Sequence, residues 1–267
     1  EWLGAFHTED GRNVYSLIHT EYHGWEHNNC NSSDLLDCWW NSINLAISRD
    51  GGKSFSHSSP PDHNILNPPF DYDINNREGA MGYLEPSNIL PKDGYYYAYM
   101  VKHFPNEPFG ICVMRTNNLQ DPDSWRLWDG TGFNARGDGE NYPNSNCQSL
   151  SPTPVSAHNV VYDEYLGKYI SLGCSWGSTC YYNTSDDLIH WSNHRRIEIP
   201  GACGYAGLLQ PGSNDRNYTT VGRSPWLYLT MSDRCSSDYE GWNRDLYRIR
   251  VRLSEAEDVG KNELLDL

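Results

Sequence analysis

Short runs rich in β-branched and aromatic residues follow one another along this chain, bounded by clusters of Gly, Asn, Asp and Pro. That is the pattern of strands separated by turns. Residues 13–20, 40–48, 95–101, 111–116, 168–174 and Trp226–Met231 read as strands. Residues 246–253 alternate apolar with basic side chains, which predicts a strand with one wet face. A single helical turn is expected near residues 254–259. The chain is therefore all-β.

A weak internal repeat orders these strands. Its first element is a turn feeding an aromatic strand: Asp10-Gly11 before Val14-Tyr15, and Asp93-Gly94 before Tyr95-Tyr96-Tyr97. Gly167 and Gly222 mark looser copies. Its second element is a strand, then a polar turn, then an aromatic. Ser48 to Phe55, Arg115 to Trp125 and Thr184 to Trp191 show it. A repeat of this length is the mark of stacked supersecondary units. Four units are visible, residues 1–60, 80–130, 155–200 and 203–253. Each offers about four short strands, as a propeller blade requires. Residues 1–267 are accordingly read as one β-propeller domain. A ring must close to leave no unpaired edge, so either the units close as they stand or a further blade is partly supplied upstream of Glu1. A large β-sandwich is the competing fold.

Composition changes the picture in three places. The formal net charge of −15 argues against nucleic acid or an anionic membrane surface, which need a basic footprint. No apolar run is long enough for a membrane span. Eight cysteines, Cys30, Cys38, Cys112, Cys147, Cys174, Cys180, Cys203 and Cys235, contain no C-x-x-C and match no zinc spacing. An even set of this kind reads as disulfides made in an oxidising compartment. Cys30 with Cys38, and Cys174 with Cys180, are close enough to staple loops locally. Sequons at Asn31, Asn183 and Asn217 agree with a secreted glycoprotein. The chain opens on structured sequence, so a mature or partial product is expected.

The segment from Ser48 to Phe55 resembles the Asp-box of sialidase-like propellers, S-x-D-x-G-x-x-W/F. There Asp50 caps the hairpin, Gly51 and Gly52 take positive φ, and Phe55 tucks beneath. The segment from Thr184 to Trp191 resembles the S-x-D-L-x-x-W turn of five-bladed arabinanase and fructosidase propellers. His19-Thr20-Glu21-Tyr22-His23-Gly24, the stretch from Gly82 to Ile89, the stretch from His158 to Tyr162, and Arg244 to Arg248 resemble secreted relatives of those glycosidases. The resemblance implies five four-stranded antiparallel blades, with the N-terminal blade either incomplete or closed by the units as they stand, and a poly- or oligosaccharide partner.

Glycoside hydrolysis uses two carboxylates flanking the scissile bond. Glu85 is the first candidate. The resemblance makes Glu85-Pro86 an active-site element, although that family typically carries Asp, and residues 86–89 read as an inner strand. Glu21 is the second. His19, Glu21 and His23 alternate along one strand and so share a face. Three ligands spaced about 6.6 Å apart suit one metal ion poorly, so a sugar site is preferred and no metal is assigned. His19, His23, Asn88, His158 and Asn159 are candidates for sugar hydroxyls; His158 and Asn159 equally suit backbone groups at a blade junction. Trp39, Trp40, Trp176 and Trp242 are candidate stacking platforms. No cofactor is expected, and no motif indicates a structural calcium ion. A sialidase would need an arginine triad; Arg115, Arg223 and Arg244 sit in no diagnostic motif.

Two functions fit these residues. One is a secreted glycoside hydrolase-like protein acting on a neutral polysaccharide. The other is a non-catalytic extracellular module that binds carbohydrate or builds a surface.

Overall fold

The computed structural model describes residues 1–57, 59, 61–137, 146–153, 159–175, 179–199, 204–231, 245–253 and 265–266. The chain divides into two compact units, Glu1–Leu150 and Ser151–Leu267.

In the first unit the strands are β1 (Trp2–His7), β2 (Val14–His23), β3 (Trp39–Ser48), β4 (Asn64–Leu66) and β5 (Ala80–Leu84). They continue as β6 (Leu90–Lys92), β7 (Tyr95–His103), β8 (Gly110–Thr116), β9 (Arg126–Trp128) and β10 (Phe133–Ala135). They form one sheet in the order β1-β2-β3-β5-β7-β8-β9-β10, with β4 on β3 and β6 on β7. Neighbours are antiparallel except β3 and β5, which run parallel over Trp39–Asn41 and residues 80–82. Tyr15 to Ile18 on β2 and Tyr97 to Met100 on β7 are buried without a break. A strand covered on both faces shows such a continuous run rather than alternation. Leu17, Ile43, Tyr83, Ile89, Met100, Met114 and Leu127 form the centre of this core.

The second unit holds β11 (Val160–Asp163), β12 (Lys168–Ser175), β13 (Thr179–Ser185), β14 (Arg195–Glu198) and β15 (Gly207–Leu209). After them come β16 (Thr220–Val221), β17 (Trp226–Met231), β18 (Asp245–Arg250), β19 (Arg252–Leu253) and β20 (Leu265–Asp266). Its sheets are β14-β13-β12-β11-β16, β15-β17-β18 and β19-β20. Val161, Leu172, Leu227 and Leu229 anchor a separate core. The only helical elements among the described residues are 3-10 turns at Gly24–His27 and Pro122–Ser124. The helical turn expected at 254–259 lies outside the described residues.

The repeat is physically real at its turns. Ser48, Thr116 and Ser185 are all buried at the end of a strand. Ser48 Oγ accepts from the amides of Asp50 and Gly52, and Asp50 in turn accepts from the amides of Lys53 and Ser54 at 3.0 Å. Gly51 and Gly52 have φ of 77° and 84°, as the Asp-box reading requires. Thr116 Oγ1 accepts from Asn118 N, whose own side chain accepts from Gln120 N. Ser185 Oγ accepts from the amides of Asp187 and Leu188, and Asp187 accepts from those of Ile189 and His190. The aromatic that follows is buried at Trp125 and Trp191; Phe55 is half-buried and lies against Phe6, ring centroids 5.8 Å apart.

Three disulfides close loops: Cys30–Cys38, Cys112–Cys147 and Cys174–Cys180. Cys203 and Cys235 lie outside the described residues. Among the described residues, no helix is long and apolar enough to cross a membrane. The alternation expected over residues 246–253 is present: Ile249 packs on the second core and Val251 and Leu253 are buried, while Arg248, Arg250 and Arg252 are exposed, the first two lying over the Trp226 ring. One expectation is corrected. Asn183 cannot carry a glycan in this fold. It is fully buried, and its Nδ2 donates to the carbonyls of Thr153 and Ser192. Asn31 is exposed and Asn217 half-buried.

The turn carboxylates set the acid stability. The Asn13 and Arg12 amides lower the pKa of Asp10, the Ser54 amide and hydroxyl that of Asp50, and the Asn134 side chain that of Asp129. Burial pushes Asp187 up, but the His190 ring and amide with the Ile189 amide outweigh it and hold the group at about 2. A carboxylate depressed in the folded state stabilises above its ordinary value of 3.8, and that contribution is lost as pH falls through the folded value. Asp163, raised by burial, works in the opposite sense. The thermal midpoint is therefore expected to fall steeply from about pH 4 toward pH 2. Ser185→Ala removes the buried acceptor of two amides and should cost about 1–3 kcal/mol in chemical denaturation.

Candidate functional site

His19, Glu21 and His23 share the face of β2 that their alternation predicts. Register supplies the rest. Glu21 pairs with Asn41 and His23 with Trp39 on β3, while Trp2 on β1 pairs with His19. Directly opposite residues on one sheet face are close enough to interact.

These groups converge on the Glu21 carboxylate. Trp2 Nε1 donates to Glu21 Oε2 at 2.7 Å. His19 Nδ1 lies 3.6 Å from Glu21 Oε1, and His23 Nε2 lies 3.2 Å from Glu21 Oε2 without hydrogen-bond geometry. His23 Nδ1 is 3.5 Å from Glu26 Oε1, and its ring stacks on Trp39 with centroids 4.0 Å apart. The Glu21 side chain is only 15 % exposed.

Asn41 fixes the orientation of His19. It is fully buried, and its Nδ2 donates to the Met81 carbonyl at 2.8 Å. Its Oδ1 therefore faces His19 Nε2, at 3.2 Å. The acceptor on Asn41 selects the tautomer with the proton on Nε2. Neutral His19 then offers the Nδ1 lone pair toward Glu21, so a single added proton turns a poor contact into an ion pair. Burial lowers the His19 pKa, opposed by the charges of Glu21 and Glu85 and by the Asn41 bond. Burial thus favours the neutral ring.

Glu85 feels the same imidazole. It is exposed, sits just after β5 and has φ of 51°. Residues 86–89 do not form the continuous inner strand expected of them; they interrupt the edge between β5 and β6. Ser87 bridges the gap: its N donates to the Tyr99 carbonyl and its Oγ accepts from Tyr99 N. Pro86 is buried against β1, where a Cβ on Gly4 would stand 3.3 Å from Pro86 Cγ. Asn88 is half-buried beside it.

Other expected residues lie elsewhere. Asn159 belongs to the second unit, where its Oδ1 accepts from Leu208 N at 2.9 Å; it holds a strand junction. His158, Trp176, Trp242 and Arg244 lie outside the described residues. Arg115 is caged over Tyr95 and Phe133, 4.0 and 4.2 Å from the ring centroids, and donates to the Tyr97 hydroxyl. Among the described residues, no three His, Cys, Asp or Glu side chains gather to hold a metal ion. Reading along the chain missed Trp2, Glu26 and Asn41. Their roles come from cross-strand register, which a single segment does not display.

No family model and no curated protein matches this chain. Solved structures do. An α-L-arabinofuranosidase from Clostridium thermocellum aligns at 11 % identity over 99 % of this chain and 70 % of its own, with a TM-score of 0.54. A glycosyl hydrolase from Bacteroides ovatus aligns at 14 % identity over 94 % of this chain and 66 % of its own, with a TM-score of 0.49. An exo-1,5-α-L-arabinanase from a bovine ruminal metagenomic library aligns at 14 % identity over 96 % and 72 %, with a TM-score of 0.47. The first of these carries the fold: the chain has the all-β propeller fold of such glycosidases.

One glycine holds this site together. Gly82 has φ of 117°, and a Cβ there would lie 2.2 Å from the Asn41 carbonyl oxygen. Gly82→Ala should destabilise the protein by about 3 kcal/mol or more in denaturant titrations, through strain plus overlap with backbone. The same variant should disturb the His19 imidazole signals by NMR, because Asn41 orients that ring.

Proposed function

We propose that this chain is a secreted, glycoside hydrolase-like propeller acting on a neutral polysaccharide through Glu85 and Glu21. The observation that carries the reading is the Glu21 carboxylate, 15 % exposed and set among Trp2 Nε1 at 2.7 Å, His23 Nε2 at 3.2 Å and His19 Nδ1 at 3.6 Å. The resemblance supplies Glu85 as the second carboxylate, and two carboxylates can divide the roles of acid and of base or nucleophile. In this scheme the Trp2 indole orients Glu21 and a protonated His19 pairs with it, while His23 and Asn88 engage hydroxyls and Trp39 offers a stacking face. Solved structures similar in fold are an arabinofuranosidase, arabinanases, a β-1,2-mannobiose phosphorylase and an exo-β-1,3-galactanase, which makes plant-type neutral glycans the first substrates to try. Secretion fits the three disulfides. The charge of −15 turns away uronic-acid polymers.

A second reading, a non-catalytic binding module, is favoured by the occupancy of Glu21. Its Oε2 already accepts the Trp2 indole N–H, as a structural carboxylate would. Reducing-end assays on arabinan, galactan and mannobiose separate the two. The enzyme reading expects Glu85→Gln and Glu21→Gln each to lower kcat by roughly 100-fold or more, about 2.7 kcal/mol, with the thermal midpoint kept. Undiminished cleavage in both variants would remove these residues from the mechanism. Binding with no cleavage by the wild type would establish the module.

A further inference from the structure

We infer a separate sugar-binding subsite in the first unit, a cavity of about 260 Å³ behind Trp39 that takes one ring of a neutral oligosaccharide. The inference rests on the carbohydrate reading above but requires no catalysis. The volume lies just under the roughly 300–1,000 Å³ of pockets for drug-sized ligands, which suits one ring rather than a chain.

Its lining has the two surfaces that a sugar ring demands. Trp40, Phe70 and Tyr72 are half-buried and offer aromatic area to the C–H face of a ring. Asp71 and Glu78 also line the cavity, are exposed and offer carboxylates to hydroxyls. Asp71 and Glu78 hold no other side chain in place: among the described residues neither carboxylate accepts a hydrogen bond or forms an ion pair. Arg77 is the cavity's single cation, and it is spent on structure. Its Nη2 donates to the Asn31 carbonyl at 2.7 Å, and its Nε is 3.7 Å from Asp37 Oδ2. With no free cation in the lining, a phosphate or uronic acid has no partner there. A purely apolar ligand would strip water from two carboxylates without replacing it. A neutral polyol meets both constraints.

The cavity wall is also prebuilt. Asn31 N donates to the Ile74 carbonyl and Cys38 N to that of Asn76, so the loop closed by Cys30–Cys38 is zipped to residues 73–79. Asp73 Oδ1 accepts from Asn75 N at 2.8 Å. Little ordering is left for a ligand to impose, and that raises affinity. Trp39 connects the two places, lining this cavity while its ring stacks on His23.

The test titrates neutral trisaccharides of glucose, xylose, mannose, galactose and arabinose into the Glu21→Gln protein, followed by tryptophan fluorescence and calorimetry. At least one should bind, and Asp71→Ala and Glu78→Ala, added singly, should each weaken it about tenfold, about 1.4 kcal/mol, with the thermal midpoint unchanged. A trisaccharide of galacturonic acid should not bind. The inference is overturned if no neutral trisaccharide binds wild-type protein, or if binding survives the Asp71→Ala/Glu78→Ala double variant undiminished. It is overturned equally if Glu21→Gln abolishes binding that both single variants retain, which would place the ring at Glu21. Loss of cleavage with retained binding separates this subsite from the catalytic proposal.

Discussion

The sheets of this protein depend on a small polar device, a buried hydroxyl and a carboxylate or amide holding the backbone amides of a turn. A strand ending leaves donors that must be satisfied by something other than the ladder. At Ser48, Thr116 and Ser185 the hydroxyl accepts the first amide, and the residue two positions on accepts the next. The device is local and needs little apolar surface, so it can be repeated wherever two short strands must be joined. It also explains why a chain with Asp and Glu in excess folds compactly. Several carboxylates serve as internal acceptors, at Asp10, Asp50, Asp129, Asp187 and Asp215.

Local chemistry of this kind is what a sequence displays best. Asp93-Gly94 and Asp50-Gly51-Gly52 announce their turns because only certain residues tolerate positive φ. The strands that follow are aromatic and branched, so they too are legible, and the observed β2, β3, β7 and β8 extend the expected ranges by a few residues. The short inner strands are different. β5 and β6 are separated by Glu85 to Ile89 and are held by pairing with β7, not by their own composition. A Pro and a left-handed residue in that gap forbid a regular strand, yet Ser87 restores the link through Tyr99. The apparent strand was therefore a bridged break.

The candidate site divides the same way. His19, Glu21 and His23 were visible because alternation alone puts them on one face. Asn41 and Trp2 were not, because partners come from pairing between strands distant in sequence. Two asparagines are ambiguous along the chain for a related reason. Asn159 and Asn183 have side chains suited equally to solvent, to a glycan or to a backbone amide, and only burial distinguishes these fates. In both cases the carboxamide is spent on backbone, as buried polar groups generally are.

The polar cluster on β2 is costly to maintain. A carboxylate between two imidazoles, with an indole donor and a buried amide behind, asks for desolvation of several polar groups at once. The amide is fixed by Met81, the backbone approach is fixed by Gly82, and the imidazole tautomer follows from the amide. Each step removes a degree of freedom from Glu21 or His19. Orientation of this kind, imposed from the second strand inward, is what proton transfer or sugar recognition requires and what a solvated outer strand does not. The wall of aromatic and carboxylate side chains beyond Trp39 extends the same logic outward: the residues that the fold does not use are the ones left facing solvent. A neutral sugar is the ligand whose two faces match both, since its C–H surface takes the rings and its hydroxyls take the acceptors.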